Sequence, residues 1–165
     1  MSNTNNVFFT TNDRAQMFGA MALRVKEVIE VEELISEEDR QRFYSFDQEF
    51  GIIIVGKQIA DRLTEQELNA VLAHEQAHID FCHVDAEVND PSGMVNNMQF
   101  EIEADAKSAS IHGAKVVQKA LVSTACAIIG HCLDVGIFPK SDAKKMRHIV
   151  ITSMRPRLEA LKSVK

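Results

Sequence analysis

The chain has 165 residues, 45% of them hydrophobic and 25% charged, and a formal net charge of −6 at pH 7. That length suits one domain with a real core, that balance excludes a disordered chain, and the negative charge argues against a nucleic-acid binder, which normally carries a basic surface. The charge is uneven: from Lys140 to Lys165 eight Lys and Arg residues face only Asp142 and Glu159, and the densest acidic run is Glu30–Asp39. The simplest reading is a basic C-terminal segment docked on an acidic body.

Residues 1–11 read as a loose polar arm, with neither the basic nor the apolar region of a signal peptide. Thr11 or Asn12 is placed to cap a helix over Asp13–Glu30, where Met17, Met21, Val25 and Val28 recur at helical spacing. Arg42–Phe46, bulky and aromatic, reads as a strand, Asp47–Gly51 as a turn and Ile52–Val55 as a buried strand, together a hairpin. Thr64-Glu-Gln-Glu67 is a capping box that opens a helix running past His78 to about Val84, with Leu68, Val71, Leu72 and Ile79 as its apolar stripe. Asn89-Asp-Pro-Ser-Gly93 breaks the chain. Helices follow from about Met94 to Gly113 and over Lys115–Leu133. After Gly136 and Pro139, Ser141 is placed to cap a last helical pair divided near Pro156.

The expected fold is a single α+β domain, mostly helical, with a small sheet near the N-terminus. Cys82, Cys126 and Cys132 form no C-x-x-C pair and suggest no disulfide framework. The longest apolar tract, Ala120–Ile129, is too short to span a bilayer. A soluble cytoplasmic protein without a membrane span is expected.

The chemistry centres on His74-Glu75-Gln76-Ala77-His78. Helical residues four apart are offset by about 40° and about 6 Å, so both imidazoles leave one face and can grip one Zn²⁺, with Glu75 one step round as general base. Glu101-Ile-Glu-Ala-Asp105 lies on the next expected helix, with Glu101 and Asp105 on one face. If that face turns back on the His pair, Glu101 completes a His₂Glu site and Asp105 can orient a ligand imidazole.

The segment Leu63–His78 resembles the active-site helix of gluzincin metallopeptidases, closest to the CAAX prenyl protease and HtpX-like family. His83 falls where that family often has another His, and Glu101-x-Glu-Ala-Asp105 matches its third-ligand motif. Tyr44-Ser-Phe46 and Gly51-x-Ile-x-Val55 match the spacing of two of its strands, although Tyr44 stands where Asn is usual and Gln58 where Gly is. The resemblance implies a zincin-like fold, one zinc per chain, a protein or peptide substrate, and a substrate-pairing sheet edge at Tyr44, Ser45 and Phe46. The membrane helices of many members are missing. For the family's downstream transition-state stabiliser, His112, His131, His148 and Tyr44 are the candidates.

Rival readings are weaker. A metzincin needs a third His where Val84 stands. A di-iron bundle needs a second Glu-x-x-His, and none is present. Cys82 continues the series from His78, but three successive turns of one helix wrap poorly around a tetrahedral ion. The remaining alternative is a zinc-bound, non-catalytic scaffold that captures a protein partner. Against it stands Glu75, which hydrolysis needs and structure does not.

Overall fold

The computed structural model describes residues 6–28, 34–85 and 97–164. In chain order the elements are β1 (Val7–Thr10), α1 (Asp13–Phe18), β2 (Ala20–Arg24), α2 (Val25–Val28), α3 (Arg40–Tyr44), β3 (Gly51–Gly56), α4 (Lys57–Ala60), α5 (Glu65–Asp80), α6 (Asn97–His112), α7 (Ala114–Asp134), α8 (Ala143–Ser153) and α9 (Arg155–Leu161). The fold is α+β and mostly helical, as expected.

The sheet is built on β3, whose Gly-Ile-Ile-Ile-Val-Gly run is buried throughout, as a strand covered on both faces must be. β1 lies parallel to it, with Val7 opposite Ile53, and β2 antiparallel on its other side, with Met21 opposite Ile54. On one face Ile52 and Ile54 pack with Phe8, Leu34 and Phe43. On the other, Val7, Ile53 and Val55 meet Leu68, Leu72 and Ile79 of α5, the stripe expected from the sequence. The rest of the α5 stripe faces the helices, where Val71 packs beside Ala70, Val117, Ala120 and Leu161.

Two stretches differ from the sequence reading because tertiary pairing overrides local periodicity. The expected helix over Asp13–Glu30 stops at Phe18, and Glu30 lies outside the described residues. Asn12 does cap α1, its side chain accepting from the Arg14 N–H. Gly19, at φ +82°, then turns the chain: its N–H closes α1 on the Ala15 carbonyl, and its carbonyl accepts from the Gly56 N–H at 2.8 Å. A side chain there would be strained and would meet Ile128 and Thr124 at 3.1 Å. Met21, read as helical, therefore lies in a strand. Likewise Val7–Thr10, part of the expected loose arm, is a strand because Phe8 anchors the core at 1% exposure.

The expected strand over Arg42–Phe46 is instead helix and turn. Tyr44 ends α3, the Ser45 N–H caps it on the Arg42 carbonyl, and the Phe46 N–H bonds the Phe43 carbonyl. Its aromatic residues serve a packed cluster rather than a pleat: Phe8 meets Phe43 and Phe46 edge-on, with the Arg42 guanidinium 4.1 Å from the Phe8 ring centre. The antiparallel partner of β3 is β2, so the hairpin does not form.

The long helices stand where expected with shifted ends. The break at Asn89–Gly93 and the expected helix start at Met94 lie outside the described residues. The final pair divides at Met154, one residue before α9, and the N-cap position of α8 falls on Asp142 rather than Ser141, without a side-chain capping bond. Among the described residues α7 alone is long and apolar enough to cross a membrane by length and composition. Here it packs against α1, α4, α5, α6, α8 and α9.

The capping box forms as read. Glu67 accepts from the Thr64 N–H at 2.8 Å and the Thr64 hydroxyl at 2.7 Å, and its other oxygen takes a 2.7 Å bond from Ser123 of α7. Burial raises its pKa, but these donors and Lys119 outweigh that and bring it from 4.5 to about 2. The depressed value means that this stability is complete above the unfolded pKa and is lost as pH falls from 4.5 toward 2. Glu67→Gln should cost about 1.5–3 kcal/mol at pH 7 and flatten the loss of stability across that window. Denaturant titrations of parent and variant in chelator at several pH values check this.

Candidate metal centre and active site

The helical period of α5 sets three directions. Leu68, Leu72 and Ile79 face the sheet, His74 and His78 face α6, and Glu75 points toward β2, where the Ala22 backbone N–H bonds its carboxylate. The α5–α6 packing brings Glu101 to the His pair. His74 Nε2 and His78 Nε2 are 3.1 Å apart, and the Glu101 oxygens lie 3.4 Å from the first and 3.5 Å from the second. Tetrahedral zinc bonds of ~2.0–2.2 Å place ligand atoms ~3.3–3.6 Å apart, so these three donors fit that ion closely. Among the described residues His74, His78 and Glu101 are the one cluster of this kind.

The free ring nitrogens are held as well. His74 Nδ1 lies 2.9 Å from Asp105 Oδ1, the orienting contact expected of Asp105, which is 1% exposed. His78 Nδ1 faces His83 Nδ1 at 3.2 Å, and His83 Nε2 lies 3.2 Å from Glu103. With His78 ligating through Nε2, one proton order satisfies this chain: His78 Nδ1–H donates to His83, and His83 Nε2–H donates to Glu103. Cys82 makes the return possible. At φ +58° it ends the helical course that the sequence extended to Val84 and swings His83 back, where its ring stacks on Phe100 at 4.2 Å. Cys82 itself is exposed and outside the cluster.

Arg157, from α9, completes the site. Its Nε and Nη2 donate to the two Asp105 oxygens at 2.7 and 2.8 Å, and Nη1 lies 2.6 Å from Glu101. All three nitrogens engage carboxylates, so Arg157 holds Glu101 and Asp105 together. The sequence signal for it was the basic C-terminal segment, but nothing there singled Arg157 out from seven other cations. By contrast His112, His131, His148 and Tyr44 do not line the cavity that holds the cluster, and neither do Ser45 and Phe46.

The electrostatics separate the groups by role. Burial works against charging His74, but Asp105 and Glu101 outweigh it and raise its pKa to about 9. Burial and the neighbouring His74 charge push His78 down to about 4. Glu75, half-buried, is raised above the usual carboxylate range chiefly by burial, whereas in Glu101 the effect of burial is overcome by His74 and Arg157 and the pKa falls. A cation seated among these donors takes over the role of the His74 proton.

The cluster, Glu75 and the edge strand β2 share one cavity of about 580 Å³, with β2 on one side and α7 on another. A His-Glu-x-x-His helix with a third carboxylate ligand from the following helix defines a metallopeptidase-type centre. The sequence model described as "Peptidase family M48" matches residues 39–126, and the chain belongs to that family of metallopeptidases. No curated protein and no solved structure gives a match. The matched segment contains both motifs, while β1, β2 and Arg157 lie outside it.

Replacing His83 with Leu, which retains apolar contact with Phe100, should weaken zinc binding by ~10–100-fold, since His78 loses the partner that fixes its tautomer. Competition with a chelator of known affinity measures this. Unchanged affinity would show that His78 is oriented without His83.

Proposed function

We propose that this protein is a zinc endopeptidase of the gluzincin type, with His74, His78 and Glu101 binding one zinc and Glu75 as general base. The observation that carries the reading is the tetrahedral spacing of the three donors beside a carboxylate whose pKa is raised. Bound Zn²⁺ supplies Lewis acidity toward water and the substrate carbonyl. Glu75 accepts the proton of the attacking water and returns it to the leaving amine, and a raised pKa suits both transfers. Asp105, with Arg157, and His83, with Glu103, keep the two imidazoles aimed, and a metal ion in place of the His74 proton would leave both rings neutral as ligands.

The substrate-pairing edge moves from Tyr44–Phe46 to β2. Gly19, Met21, Leu23 and Val25 face β3, as the bonds Gly56 N–H to Gly19 and Val25 N–H to Phe50 show at the two ends. The backbone groups of Ala20, Ala22 and Arg24 therefore point outward. An extended peptide can pair there, directly above Glu75, with little demand on sequence. We also place the protein in the cytoplasm without a membrane span: its three cysteines are free, and α7 is packed on by six other helices.

The rival reading, a zinc-bound scaffold without catalysis, leaves Glu75 and its Ala22 bond without a purpose. Glu75→Gln is nearly isosteric and should retain zinc and fold while peptide hydrolysis falls by several orders of magnitude. Zinc analysis and cleavage of unfolded casein by both proteins decide the matter. Activity equal to the parent's would remove Glu75 from the mechanism, and an inactive, zinc-loaded parent would favour the scaffold.

Ala22→Pro tests the edge. The Ala22 N–H is not used in the ladder with β3, so proline fits an outward-facing edge position. The variant should fold and bind zinc, with kcat/KM on peptides lowered at least ~10-fold, because the change removes the outward N–H that serves Glu75 and rigidifies the edge a substrate would pair with. Undiminished hydrolysis would mean that substrate docks elsewhere.

A further inference from the structure

The charge asymmetry visible in the sequence is only partly used inside the fold. From Arg24 to Arg62 every described Lys and Arg is ion-paired. In the basic C-terminal segment Arg157 reaches Asp105 and Glu101, and Lys162 pairs with Glu159 beside it. Lys140, Lys144, Lys145 and Arg147 have no ion-pair partner among the described residues, and the one acid near them in sequence is Asp142. The expected docking of this segment on an acidic body therefore runs through Arg157 alone.

The four cations stand on or just before α8, a helix with no buried residue. Met146, Val150 and Met154, four apart, form its half-buried face, and α8 packs on α7. At about 100° per residue, Lys144, Lys145 and His148 fall on the opposite, exposed face. Ile149 and Ile151 flank that face on its two sides and are 48% and 41% exposed. Val135 and Ile137, in the turn that leaves α7, are 51% and 47% exposed.

We propose that the outer face of α8 is a docking surface for an anionic lipid bilayer. The contact is peripheral: α7 stays packed within the domain, and neither metal nor catalysis is needed, so the proposal goes beyond the peptidase reading. Unpaired cations on a chain of net charge −6 call for an anionic partner. The isoleucines beside them narrow its kind. A nucleic acid would use the cations but leave Ile149 and Ile151 in water, and α8 carries no Phe, Tyr or Trp on which a base could stack. A helix without a buried residue presents a ridge rather than a groove, which suits a deformable planar surface. At such a surface Lys and Arg place their charged heads among lipid phosphates while their stems lie beside apolar side chains that enter the acyl boundary.

Co-sedimentation of the full chain with vesicles tests this. Vesicles of equimolar phosphatidylcholine and phosphatidylglycerol should bind at least ~10-fold more tightly than phosphatidylcholine alone, and the difference should shrink as salt rises. Lys144→Glu with Lys145→Glu should weaken that binding at least ~10-fold. Ile149→Ser with Ile151→Ser should weaken it at least ~5-fold, at low and high salt alike. All four side chains are exposed, so circular dichroism should be unchanged in both variants. Lys107→Glu with Lys115→Glu, exposed cations on α6 and α7, should leave binding unaltered and so separates the face from net charge. Equal binding to both vesicle types, or equal losses from the α8 and the control reversals, would overturn the proposal. Loss through the lysines but none through the isoleucines, with poly-glutamate competing the vesicles away, would overturn the lipid and assign the face to an acidic protein.

Discussion

Asp105 is a carboxylate with almost no access to water, and a charge so placed must be matched within the fold. It is matched twice, by His74 from α5 and by Arg157 from α9, and Arg157 also reaches Glu101. Three helices are therefore joined at one ionic knot, and two of its members, His74 and Glu101, belong to the cluster that could hold a metal ion. Burial alone would raise the Asp105 pKa, but Arg157 and His74 outweigh it and hold the group ionised. The result is that His74 and Glu101 are held in place by Asp105 and Arg157, with a cation part of their environment. The cost of burying the carboxylate is offset only when α9 is docked, so the C-terminal segment is part of the site although it lies outside the matched family segment.

That dependence explains which parts of the molecule were readable. His74, Glu75 and His78, and separately Glu101 and Asp105, stand out because each lies within a helical period of another, and a short-range period is visible in one dimension. The capping box at Thr64 and the buried run of β3 were legible for the same reason. Arg157 was not: it stands 52 residues from Asp105, and a bidentate pair across that distance leaves no spacing to detect. Only the excess of positive charge in the last stretch hinted that something basic docked on an acidic body.

The sheet was misread in an instructive way. Met17, Met21 and Val25 have helical spacing, yet Gly19 at φ +82° ends the helix between the first two, and the pairing of β2 with β3 decides the rest. Arg42–Phe46 was read as a strand because it is aromatic. Those rings instead fill the space beside Phe8, which itself lies in what looked like a polar arm. In both cases a local preference worth tenths of a kcal/mol per residue yielded to burial worth several times more. The consequence reaches the site, since the strand beside Glu75 is β2 and not the Arg42–Phe46 segment, which lies outside the cavity.

Glu75 and Glu101 show how one small site uses the same side chain for opposite tasks. A ligand carboxylate must stay ionised, and the His74 hydrogen bond and the Arg157 charge beside Glu101 overcome the burial that would protonate it. A general base must take up a proton and give it back, and Glu75 is placed where burial and the Glu101 charge raise its pKa against weaker opposition. The difference follows from direction. Glu101 projects from α6 into the ionic knot, while Glu75 projects from α5 toward β2 and meets one backbone N–H. A helix that carries His74, Glu75 and His78 within five residues can give them such different environments only if its faces meet different neighbours. The sheet edge on one side and the α6–α9 pair on the other provide them.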